Sequence, residues 1–66
     1  AANVKQTWPS TVEGIALATE VRDTGLLSGD AKTRLVQEII DHEVSHGRCT
    51  STFSKKVRKQ VRPRAT

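Results

Sequence analysis

Apolar residues recur along this chain at helical spacing, and that pattern predicts three helices. From about Thr11 to Thr24, Val12, Ile15, Ala16 and Val21 make one face, with Leu17 at its edge. From Ser28 to about His46, Leu35, Val36, Ile39, Ile40 and Val44 recur three and four residues apart, the strongest helical pattern in the chain. After Gly47, Phe53, Val57 and Val61 fall at i, i+4 and i+8, one narrow apolar stripe. No stretch alternates with period two over a useful length, so strands are not expected.

The polar residues between these segments supply the punctuation. Pro9 holds Trp8 extended, and Ser10 with Glu13 forms a capping box for the first helix. Trp8 is placed to pack back on that helix start. Gly25 is expected to end the helix in the left-handed conformation, and Gly47 to end the second in the same way. Ser28 caps the second helix with Asp30 in its first turn, Thr50 or Ser51 caps the third, and Pro63 stops it. The expected organisation is a tail over 1–9, one helical domain over 10–63 and a short tail over 64–66.

Three helices with short connectors, each apolar on one face, pack most simply as an all-α three-helix bundle. The expected core is Val12, Ile15, Val21, Leu35, Val36, Ile39, Ile40, Val44, Phe53 and Val57. At 66 residues, with one Phe and one Trp, that core is thin. A homodimer is one way to thicken it. Cys49 is the sole cysteine, so no intrachain disulfide can help. A lone thiol fits a reducing compartment such as cytoplasm, nucleoid or nucleus, with an intermolecular bridge as the lesser reading. The longest apolar run, Ile15–Ala18, falls far short of the ~20 residues a bilayer span requires, and the N-terminus lacks the apolar stretch of a secretory signal.

Charge changes the picture most. Up to Gly47 there are seven acids and four bases, a sum of −3. From Arg48 onward there is no acid, and Arg48, Lys55, Lys56, Arg58, Lys59, Arg62 and Arg64 carry +7. The third helix is thus expected to be a basic C-terminal helix, with Lys55, Lys59 and Arg62 on one face. Like charges at this spacing destabilise a free helix by a few tenths of a kcal/mol each, and a polyphosphate relieves that repulsion. The expectation is a nucleic-acid-binding protein, mainly DNA, contacting phosphates rather than reading bases. Gln60 is the helix's one amide side chain, and stacking aromatics are nearly absent. A membrane surface fits less well, because the stripe opposite the charges holds neither Trp nor Leu.

The alternative is a protein-interaction or oligomerisation module that docks an acidic partner in a groove between its helices. Leu17, Leu26, Leu27 and Trp8 would then act as partly exposed anchors.

His42-Glu43-Val44-Ser45-His46 is a literal H-E-x-x-H on a predicted helix. In these five residues it resembles the zincin metalloproteases, and the resemblance implies zinc on the two imidazoles and Glu43 as general base. No Asp, Glu or His follows His46, and Cys49 is the one nearby substitute for a third ligand. Metal binding by His42, His46 and Cys49 is therefore a minor alternative, beside a pH-sensitive histidine patch. A bundle this small offers little room for a catalytic pocket, so neither an enzyme nor a cofactor is expected.

A second local similarity lies in Ile40-Asp41, Val44, Gly47-Arg48, Ser51 and Val57-Arg58. With a one-residue insertion, these resemble the helix-turn-helix stretch of ribbon-helix-helix antitoxins, over less than a third of the chain. The resemblance implies dimeric DNA binding and a DNA-reading strand around Thr24 to Ser28.

Overall fold

A computed structural model describes residues 7–62. Three helices follow in order: α1 over Val12–Asp23, α2 over Gly29–His46 and α3 over Ser51–Val61. No strand occurs among the described residues, and none of their helices is long and apolar enough to cross a membrane. The segment from Thr24 to Ser28, where the antitoxin resemblance implies a reading strand, is the bent connection between α1 and α2.

Each helix starts on a hydroxyl cap. Thr11, Ser28 and Thr50 sit in extended backbone, and their side chains accept from the amides of Gly14, Ala31 and Phe53. The first cap is thus Thr11 rather than Ser10, and Glu13 takes no part in a capping box. Gly47 ends α2 at φ 75, as expected for glycine in the left-handed region. Gly25 does not play that part for α1. The helix ends at Thr24 in extended backbone, and Lys32 Nζ donates to the Arg22 carbonyl at 2.9 Å. Pro63 lies outside the described residues.

The helix α1 packs broadly on both α2 and α3. Its inward face is Gly14, Leu17, Ala18 and Val21, spaced i, i+3, i+4 and i+7. The helix is rotated so that Val12, Ile15 and Ala16 lie on nearly the opposite side, and of the expected face only Val21 and the edge residue Leu17 turn inward. Leu17, Ala18 and Val21 are fully buried, whereas Val12 is 80% exposed and Ile15 41%. The inward face thus carries two of the smallest residues, Gly14 and Ala18, and beside Gly14 the side chains of Glu43 and Thr11 fill the space a Cβ would need.

From α2 come Leu35 and Ile39, from α3 Val57 and Val61, and Cys49 joins them in the same cluster. Trp8, Leu27, Val36 and Phe53 pack against its edge. Pro9 is also buried. Ile40 is buried as expected, but Val44 is 74% exposed. The inward position of that turn belongs to Glu43, which continues the Leu35–Ile39 row by four residues and has its carboxylate fully partnered.

Candidate functional site

The cations from Arg48 onward divide by their surroundings. Glu20, on α1, receives Arg58 Nε at 3.0 Å and an Arg62 terminal nitrogen at 2.8 Å, one guanidinium on each carboxylate oxygen. Partial burial pushes the Glu20 carboxyl up. The hydrogen bond and charge of Arg58, joined by those of Arg62, outweigh that and hold it below the usual carboxylate range. These two arginines therefore fasten α3 to α1. Thr24 Oγ1 supplements them by donating to the Val61 carbonyl at 2.8 Å.

Arg48, Lys55, Lys56 and Lys59 are exposed, and among the described residues no carboxylate forms an ion pair with any of them. Every acidic residue of the chain lies in the described part, so their charge is left to solvent or to a ligand. Arg64 lies outside the described residues. The structure thus sets Lys56 and Lys59 on the outer surface of α3 and Lys55 at the edge that faces α1, places Arg48 just before the helix, and turns Arg58 and Arg62 toward Glu20.

Arg48, Lys55 and Arg58 also line one side of a groove of about 580 Å³, with Val12, Glu13 and Ala16 of α1 on the other and Cys49 and Ser54 between them. A second hollow, about 370 Å³, lies around Trp8, Arg22, Lys32 and Val36. There the Arg22 guanidinium carbon stands 5.6 Å from the Trp8 ring centre, a cation–π distance.

The H-E-x-x-H residues have other partners. Glu43 accepts the backbone amides of Ser10 at 3.1 Å and Thr11 at 3.2 Å, and the Thr11 hydroxyl. One α2 carboxylate thereby closes the N-terminal end of α1, where donors lack intrahelical partners and the dipole favours an anion. Burial pushes the Glu43 carboxyl up, but the Thr11 hydroxyl and the two amides more than offset this and leave it below the usual range.

His42 does a similar task for α3. Its Nε2 lies 3.1 Å from Thr50 Oγ1 and 3.3 Å from the Thr50 amide, which donates to it. Its ring stacks on Phe53 at 4.1 Å and on His46 at 4.1 Å. Burial and then the neighbouring His46 lower the His42 pKa. His46 Nδ1 is 3.1 Å from the His42 carbonyl, a contact in which the imidazole N–H donates. The buried Cys49 turns its sulfur to Ser54 Oγ at 3.4 Å. The two imidazoles are together, but Cys49 is committed elsewhere. Among the described residues no three His, Cys, Asp or Glu side chains gather as a metal site.

No family model, curated protein or solved structure matches this chain.

Proposed function

We propose that this protein binds nucleic acid, chiefly DNA, through backbone phosphates, using the exposed cations that precede and line α3. The supporting observation is that Arg48, Lys55, Lys56 and Lys59 stand exposed without a carboxylate partner. Phosphates supply the missing counter-charge, and binding releases the ions condensed on the nucleic acid. Contact is with the backbone, because Gln60 is the one exposed amide side chain of α3 suited to a base edge. In this reading the protein acts inside the cell and is not an enzyme. A homodimer would present two such surfaces.

The test is a gel shift with generic duplex DNA at two ionic strengths. About four phosphate contacts give a slope of log K against log salt of roughly −3.6. Replacing Lys55, Lys56 and Lys59 with Gln flattens it by about three units and weakens all sequences alike. Absence of a shift at micromolar protein and ~50 mM salt overturns the proposal.

A further inference from the structure

The groove between α1 and α3 has two unlike walls. Arg48, Lys55 and Arg58 stand on the α3 side. The α1 side offers Val12, 80% exposed, and Ala16, also exposed, with the single acid Glu13 beside them. Val12 stands exposed, although a side chain of this kind is ordinarily buried. The exposed Ser51 borders the same space, so a hydroxyl joins the cationic wall. About 580 Å³ is ample for several side chains of a docked segment.

We propose that this groove docks an acidic, amphipathic protein segment, with its carboxylates toward the unpaired Arg48 and Lys55 and an apolar side chain on Val12 and Ala16. Three features select this occupant. The cations lie on one wall, so the ligand's negative charge must lie on one side. Glu13 repels charge from the other wall, which disfavours a uniform polyanion such as a nucleic-acid strand. No aromatic residue lines the groove, so unstacked bases gain no platform there, whereas Val12 gains from an aliphatic partner. The surface differs from the outer Lys56 and Lys59 positions assigned to phosphate. It shares Lys55 with them, so an acidic segment in the groove partly competes with nucleic acid.

The probe is a short synthetic peptide with Leu at i, i+3, i+4 and i+7 and Glu elsewhere, read by fluorescence polarisation against the full chain. Its control has the same Glu residues with Ser in place of Leu. The Leu peptide is expected to bind at least about tenfold more tightly than the Ser peptide. The double change Arg48→Gln/Lys55→Gln and the single change Val12→Asp should each weaken it about tenfold, whereas Lys56→Gln/Lys59→Gln should leave it within about twofold. Val12 is exposed in the first turn of α1, where an acid is favoured, so Val12→Asp is compatible with folding. Circular dichroism checks this.

Equal binding of the two peptides, indifference to Val12→Asp, or no binding at ~100 µM each overturn the proposal. So does a single-stranded oligonucleotide that depends on Val12 as the Leu peptide should. Self-association that Val12→Asp abolishes would assign the groove to a second copy instead. The duplex gel shift is scored separately: it fails without touching this proposal if the peptide still binds, and the converse also holds.

Discussion

The Glu43 carboxylate occupies the space that a side chain at Gly14 would need. A Cβ built at Gly14 overlaps Glu43 Oε2, and it also stands 2.8 Å from Glu43 Cδ and 2.8 Å from Thr11 Oγ1. Glycine at this helical position is therefore a condition for the α2 carboxylate to reach the amides at the start of α1. Gly14→Ala should lose stability, although alanine gains about 1 kcal/mol of helix propensity. The expected net loss is about 1–3 kcal/mol in urea unfolding. A stabilised variant would show that the carboxylate moves aside at no cost.

Acid should destabilise the fold in two stages. The His42 pKa is lowered on folding, so the unfolded chain takes up a proton first as pH falls. Its contribution is full above the ordinary histidine value of 6.5 and is lost as pH falls through the lowered one. Protonation also removes the acceptor that Nε2 offers to the Thr50 amide. Glu43 and Glu20 are likewise lowered, so their contribution is full above 4.5 and disappears below it. Urea midpoints measured across this range should show both stages, and His42→Gln should erase the first. A profile unchanged by that substitution contradicts the assignment.

Truncations should separate the actual core from the exposed apolar positions. Leu17→Ala and Ile39→Ala, at fully buried sites, are each expected to cost about 2–5 kcal/mol, enough to unfold a domain this small. Val44→Ala, at a site 74% exposed, should stay within about 0.5 kcal/mol. Comparable losses at Val44 and Ile39 would mean that α2 is turned differently.

Glu20 sets how many charges α3 can offer to phosphate. Glu20→Gln frees Arg58 and Arg62, so the salt dependence of DNA binding should steepen by up to about two units. The partly exposed ion pairs are worth little, and the stability loss should stay near 1 kcal/mol or below. A slope that stays constant would show that the two arginines remain turned toward α1.

The three helices were legible in the sequence because each carries an apolar row at helical spacing between hydroxyl caps, and Gly47 marks one end plainly. The rotation of α1 was harder to read. Val12 and Ile15 look like core residues by hydropathy, yet the face that packs is built on Gly14 and Ala18, whose value lies in their small size. Glu43 was masked by a motif with a familiar chemistry. Its actual role was nevertheless present in the spacing, because Leu35, Ile39 and Glu43 form one row, and a carboxylate on a buried row needs donors. Thr11 and the adjoining amides supply them from a part of the chain more than thirty residues away, which no local pattern reveals. The basic run was visible as composition. Its division by Glu20 into fastening and unpaired charges depends on the packing of α3 against α1.

The central position of α1 also has a consequence for the order of assembly. Its pairing with α2 closes a short connection, whereas its pairing with α3 joins Glu20 to Arg58 and Arg62 across about forty positions. Loop-closure entropy favours the near pair, so an α1–α2 hairpin should be in place at the folding barrier and α3 should dock after it. In stopped-flow chevrons, Val57→Ala should then mainly quicken unfolding, while Leu17→Ala slows folding. The arm that carries the unpaired cations would be the last part of the domain to arrive and the first to leave.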